Sequence, residues 1–483
     1  MPDIKKKFAF QLLYAFSQIL FPLITYPYLA RTLGAASLGK IAFIEYCAGL
    51  IITIASIGIP FYGVREIAKA QTETQKKKIT ASLISLHFFS SLAGMAVFIF
   101  LCLNNPTVGE EAFLIALGSI NILTTVFIAE WYMQGIEAFK LIAIRNICLR
   151  FIGLFLILYF VRSYVDYVAY YQIVVGVQVG VAFINFINIG SKGIALPRVK
   201  ELKTHIPPLF HFFLTSSIIS LYVFFDVLIL GWLTNAQSVG YYSTAIKIVK
   251  LSLLFVLSLN IILFPRISAL SVKADLAAIK ILLHKGLCFL ILVTIPLGFI
   301  FFLLADELIA VLAGNAFLPS VPLIRIFSFL PLIIGVNNLF VYQILTPFGR
   351  EKRLLQSVAV VCFISIILQW NLTLLFSEMG TALATLITEL LVTVLTGYFA
   401  FSTIRYTFPA SAFFQSLISA LPFILIIYGI KFLTQNSYLI LLLSGGACLL
   451  VYAFFQLYLF KNEMSTQIWQ STKIFIRKSF SHA

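Results

Sequence analysis

Apolar runs of about 20 residues, separated by short polar connections, recur along the whole chain, and each has the length that crosses a hydrocarbon core as a helix. The first group lies at about 8–30, 41–63, 83–103, 112–134, 143–162 and 167–189. The second lies at about 209–230, 241–264, 285–305, 322–345, 355–376, 381–403, 413–433 and 439–460. Two of these runs, 143–162 and 322–345, carry embedded arginines. The pattern predicts an all-α integral membrane protein with about 14 transmembrane helices and almost no soluble domain. The first run follows Lys5, Lys6 and Lys7 but continues to about Ala30. It is too long for a signal-peptide core and lacks a small-residue cleavage site, so it reads as a retained first span.

Composition agrees with a lipid solvent. Hydrophobic residues make up 61% of the 483, charged residues 11%, and Phe alone contributes 48. A soluble domain carries roughly 25% charge, and this chain could not cover a water-facing surface. The net charge of +16 is not a nucleic-acid signature, because the cations sit in short loops between spans rather than on one folded face. Their distribution instead reports orientation. With a cytoplasmic N-terminus, the inward loops hold Lys76, Lys77, Lys78, Lys140, Arg145, Lys200, Lys203, Lys280, Lys285, Arg350, Lys352, Lys461 and many more, whereas the outward loops keep Arg31, Lys40, Arg162 and Lys431. This bias places both termini in the cytoplasm and requires an even number of spans. The six cysteines form no C-x-x-C pair and no metal-ligand spacing, so neither a metal nor a cofactor is expected.

The polar stretch Gly190–Pro208 divides six spans from eight. The expected organisation is a six-helix lobe over 1–189, a cytoplasmic linker over 190–208, a second six-helix lobe over 209–403, and two extra helices with a cytoplasmic tail over 404–483. The lobes show weak self-similarity. Leu33-Gly34-Ala35-Ala36-Ser37-Leu38-Gly39 follows the first span, and Leu233-Thr234-Asn235-Ala236-Gln237-Ser238-Val239-Gly240 follows the seventh. Tyr132-Met133-Gln134-Gly135 with Phe139-Lys140 closes the fourth, and Tyr342-Gln343 with Phe348-Gly349-Arg350 closes the tenth. Copies separated by six helices share one orientation, which makes this a parallel repeat.

Three stretches carry a family resemblance: Pro27-Tyr28-Leu29-Ala30-Arg31-Thr32-Leu33-Gly34, Gly58-Ile59-Pro60-Phe61-Tyr62-Gly63-Val64-Arg65-Glu66, and Glu130-Trp131-Tyr132-Met133-Gln134-Gly135 with Arg145-Asn146. The chain resembles the Wzx-type flippases, the polysaccharide transporter branch of the MATE-like superfamily. The resemblance implies two six-helix lobes with two further helices. It also implies movement of undecaprenyl-diphosphate-linked oligosaccharide across the bacterial inner membrane, with O-antigen units for lipopolysaccharide as the commonest cargo and capsule units as another. The polysaccharide polymerase machinery is an expected partner.

Flipping such a lipid requires a hydrated, cation-lined passage for its diphosphate and sugars, and charges inside spans are costly enough to be functional candidates. The head-group candidates are Lys247, Lys250, Arg325, Arg31 and Arg150. Lys247 and Lys250 share a helix face and suit a two-point grip on a diphosphate. Arg325, Arg31 and Arg150 have interfacial anchoring as the alternative. The candidates for coupling to a proton or sodium ion are Asp226, Glu45 and Glu389, with an ion pair to Lys247 or Lys250 as the alternative for the first two. Glu130 and Gln134 are candidates for gating or helix packing. His87, His211 and His284 lie near span starts and read as structural in preference to coupling. A multidrug or lipid II exporter of the same superfamily is the runner-up. A polyprenyl-dependent glycosyltransferase or polymerase would need a larger outward loop than the one near Ala305–Val321, and no P-loop for ATP is present. The chain is expected not to be an enzyme.

Overall fold

A computed structural model describes residues 2–190, 199–462 and 464–466. Residues 191–198 of the expected linker and 467–483 of the expected tail lie outside the described residues, as do the side chains of Lys5, Lys6, Lys7 and His211. Every regular element among the described residues is helical. Ten helices are long and apolar enough to cross a membrane, and an eleventh span results if the bent pair Asn315–Phe327 and Leu330–Leu345 counts as one. The chain forms two compact units, Met1–Ser243 with Ile366–Thr381, and Thr244–Ser365 with Ala382–Ala483.

The first unit begins with α1 (Pro2–Ala55), which is interrupted at Gly34, where φ is 74°. That backbone conformation is costly for any residue with a Cβ. There follow α2 (Ile59–Lys69), α3 (Glu73–Leu103), α4 (Ala112–Ile128), α5 (Glu130–Gly135), α6 (Phe139–Phe160), α7 (Tyr167–Gly190) and α8 (Val199–Leu233). Thr72 caps α3 by accepting from the Gln75 amide at 3.2 Å. Ala129 separates α4 from α5 in a left-handed conformation, φ 35°, which a non-glycine residue holds only when its surroundings impose it. Val199–Pro208, assigned to the linker by sequence, is part of α8.

Small residues let these helices approach closely. Phe224 of α8 lies over Gly49 of α1, and Phe43 of α1 lies over Gly231 of α8. In lipid, where burial of apolar surface provides little drive, such van der Waals packing is a main source of helix association. After α8 the chain breaks at Asn235, whose side chain accepts from the Ser238 amide at 2.9 Å and starts α9 (Ala236–Leu251). Here the two self-similar stretches meet. A Cβ on Gly39 would overlap the Ala236 carbonyl, and a Cβ on Gly240 would overlap the Ala35 carbonyl. Ala35 and Gly39 stand to Ala236 and Gly240 at one constant sequence offset. Exchanging the two segments therefore turns one contact into the other, as in a two-fold interface.

The second unit contains the end of α9, then α10 (Leu253–Val272), α11 (Leu276–Leu303), α12 (Ala305–Leu312), α13 (Val321–Phe327) and α14 (Leu330–Phe340). It continues with the flanks of α15 (Glu351–Thr403), then α16 (Ala410–Ala420), α17 (Pro422–Leu433) and α18 (Ser437–Phe454). The middle of α15 belongs to the first unit and is interrupted at Ser377, φ 50°, where Thr373 and Thr381 join hydroxyls at 2.8 Å. Gly335 of α14 receives Leu290 of α11. The Tyr452 hydroxyl of α18 donates to the Leu292 carbonyl of α11 at 2.9 Å and its ring meets Phe423 of α17. Large apolar side chains, among them Phe155, Phe363, Leu425 and Phe432, stand exposed on the helices. A water-soluble surface would not carry so many.

Candidate functional site

Helix α1 and helix α8 bring two of the ion-coupling candidates, Glu45 and Asp226, into one polar cluster. Asp226 is 8% exposed, and its Oδ2 accepts from the Tyr242 hydroxyl at 2.6 Å. Glu45 is half-buried on α1. Both carboxyl groups interact electrostatically with Tyr46, and Glu45 also with Tyr170 and Tyr171 of α7. The Tyr46 ring packs edge-on against Phe224, 5.9 Å between centroids. Two carboxyl groups among phenols inside a helical unit can hold and release a proton or a monovalent cation. Among the described residues, no group of three or more His, Cys, Asp or Glu has the geometry of a metal site. Glu389, the third such candidate, lies half-buried on α15 in the second unit.

The head-group candidates are placed differently from one another. Lys247 and Lys250 are both exposed on α9, one turn apart, while Ile246, Ile248 and Val249 beside them are buried. The helix thus turns its apolar side into the protein and presents two ammonium groups together. Arg325 of α13 is bonded to Asp306 of α12, Nη2 to Oδ2 at 2.7 Å, with both side chains more than two-fifths exposed. Such an exposed pair contributes little to stability, about 0–1 kcal/mol. Arg31 is exposed and Arg150 half-buried.

The outward cations inferred from sequence are tied to acids at two further points. Lys40 pairs with Glu111, which also accepts from the Tyr167 hydroxyl at 2.9 Å. Lys431 pairs with Glu307 at 2.9 Å and donates to the Leu303 carbonyl at 3.1 Å.

Glu130 has a role that sequence reasoning reached only in outline. Its Oε1 accepts from Arg145 Nη2 at 2.8 Å and from Asn146 Nδ2 at 3.1 Å. Arg145 also donates to Asn185 of α7, which donates in turn to the Ile128 carbonyl. The charge pattern sets Arg145 among the inward cations at the start of the run 143–162, and the structure buries its side chain to 3% exposure. The network spans the α4–α5 break and supplies the surroundings that impose the Ala129 conformation. Its signal was present in the motif, since Arg145-Asn146 accompanies Glu130. Gln134, the other packing candidate, is exposed at the end of α5. His87 is buried, and its Nε2 has no hydrogen-bond partner among the described residues.

With this geometry in place, comparison with known proteins identifies the group. Residues 4–271, more than half of the chain, match the family of polysaccharide biosynthesis proteins, and the chain belongs to it. It is 27% identical over 385 residues to a putative O-antigen transporter of Escherichia coli (strain K12), covering 78% of this chain and 92% of that one. A probable low-salt glycan biosynthesis flippase, Agl15, of Haloferax volcanii is 26% identical over 230 residues, 46% of this chain and 47% of the relative. In fold the chain is similar to the lipid II flippase MurJ in an inward closed conformation, with a TM-score of 0.78 at 17% identity over 95% of this chain and 100% of that one. The resemblance read from the Glu130 and Arg31 motifs is thereby borne out.

Proposed function

We propose that this chain flips undecaprenyl-diphosphate-linked oligosaccharide, with O-antigen repeat units for lipopolysaccharide as cargo, across the bacterial inner membrane by alternating access. The observation that carries this reading is the match to a putative O-antigen transporter along 92% of that relative. The cation-bearing face of α9 fits the chemistry, because a diphosphate is the one strongly charged part of the cargo. Lys247 and Lys250 grip it. Arg31, Arg150 and Arg325 meet the head group along the path. Asp226, Glu45 and Glu389 couple the cycle to a proton or sodium ion. The protein is a transporter and performs no chemistry on its cargo. The polysaccharide polymerase machinery receives the product.

The same reading counts about fourteen spans with both termini cytoplasmic. Helices α1 and α15 have 54 and 53 residues, about 80 Å each, far beyond a hydrocarbon core of about 30 Å. Each is interrupted near its middle and serves as two spans. Helices α9 and α10 together supply another, and the bent pair one more. The interchangeable Gly39 and Gly240 contacts support the parallel repeat of two six-helix lobes, 1–189 and 209–403, joined by the linker 190–208 and followed by two extra helices over 404–483.

Deletion of the gene in its host tests the function. Cells should accumulate cytoplasm-facing lipid-linked units and lose surface polysaccharide. Normal surface polysaccharide in the deletion strain would overturn the reading.

A further inference from the structure

A second cationic feature lies away from the candidates above, within the second unit. A cavity of about 610 Å³ opens between the start of α11, the start of α16 and the segment that follows α18. Lys280, His284 and Lys285 of α11 line it on one side and Lys461 on the other. Among the described residues, none of these four makes an ion pair. The rest of its lining is mixed, with Ile281, Cys288, Phe460 and Met464 beside Ser411 and Gln415.

The wall is built rather than incidental. After α18 the helix widens over Phe455–Leu459, and Gln456 donates to the Ser419 hydroxyl of α16 at 3.0 Å. Asn462 donates to Gln415 at 3.2 Å and accepts from the Met464 amide at 3.0 Å. These bonds fasten both sides of Lys461, which takes a left-handed conformation, φ 46°. Ile281 gives the cavity an exposed apolar rim, and the elements that bound it carry further exposed apolar side chains, Phe414 and Ile418 on α16 and Tyr458 and Leu459 after α18.

We propose that this cavity binds the phosphate head group of a membrane lipid, with the acyl chains lying along the exposed apolar faces of α11 and α16. Three ammonium groups and an imidazole converge on a space that fits a small-molecule head group. Basic pockets between membrane helices are the usual sites for such groups. A soluble phosphate would satisfy the cations but leave the apolar rim unused, whereas an acidic phospholipid uses both. The proposal needs the protein to sit in a bilayer and does not depend on its cargo.

The test uses the purified full-length chain in phosphatidylcholine nanodiscs doped with phosphatidylglycerol or cardiolipin, with bound lipid counted by native mass spectrometry. The triple variant Lys280→Gln, Lys285→Gln, Lys461→Gln should retain acidic lipid about a hundredfold less well, since each of the three basic residues near an anionic head group is worth roughly a fivefold effect. A charge-matched control, Lys140→Gln, Lys203→Gln, Lys352→Gln, should retain it like the unaltered protein. Millimolar inorganic phosphate should fail to displace the lipid; complete displacement would overturn the lipid assignment in favour of a free anion. Equal retention by the triple variant, the control and the unaltered protein would overturn the site altogether.

Discussion

Gly39 and Gly240 lie against each other's helices so closely that neither position tolerates a side chain. Each faces a backbone carbonyl, that of Ala236 and of Ala35 respectively. Carbonyl oxygens cannot swing aside as a flexible side chain can, so a substituent must push the helices apart. Gly240→Ala should lower stability in detergent by about 1–3 kcal/mol, the range for overpacking. Gly445→Ala, where a Cβ meets nothing within 4 Å, should leave thermal unfolding unchanged. Equal midpoints for the two variants would refute the close approach.

The Glu130–Arg145 pair calls for a double-mutant cycle. Removing one partner of a largely buried pair costs about 3 kcal/mol, because the remaining charge loses its compensation. Arg145→Gln should therefore be strongly destabilising in thermal unfolding. Adding Glu130→Gln should recover part of the loss. Strictly additive losses would show that the two side chains do not depend on each other.

Lys247→Gln with Lys250→Gln should abolish surface polysaccharide in a complementation assay while membrane abundance stays constant. Both side chains are exposed and their helix is held by the buried Ile246, Ile248 and Val249, so folding should survive. Full complementation would remove the pair from the proposed path.

For Asp226 the expected outcome separates coupling from packing. Tyr242→Phe deletes one hydrogen bond and should cost about 1 kcal/mol of stability with transport still dependent on an ion gradient. Asp226→Asn keeps an acceptor for Tyr242 but cannot ionise, and its transport should no longer respond to proton or sodium gradients. An unchanged gradient response in Asp226→Asn would assign the carboxyl a structural role.

Much of the fold was legible because the bilayer imposes a length on each apolar run, and the runs near 143–162, 167–189 and 439–460 coincide closely with helices α6, α7 and α18. The similarity of Leu33–Gly39 to Leu233–Gly240 marked segments that the structure brings into contact. Other features left little local trace. Ala129 breaks a helix without a glycine or proline, since its conformation is imposed by tertiary neighbours, and at Ser377 the only local sign is Gly380, where a Cβ would overlap the Leu372 carbonyl. The charge pattern puts Arg145 at the inner end of a span but does not show that it is buried against an acid 15 residues earlier across a helix break. Likewise, Arg325 and Lys431 read as isolated charges until folding set them against Asp306 and Glu307. The cavity beside Lys461 was invisible, as its cations come from segments far apart in sequence.

Reconstituted transport bears most directly on the proposed function. Proteoliposomes loaded with an undecaprenyl-diphosphate-linked oligosaccharide in the inner leaflet would be exposed to a membrane-impermeant glycosidase, with cleaved sugar followed over time under an ion gradient. The account predicts steady cleavage of the inner pool with the unaltered protein and none beyond the protein-free rate with Lys247→Gln, Lys250→Gln. Cleavage by the unaltered protein no faster than in protein-free vesicles would contradict it.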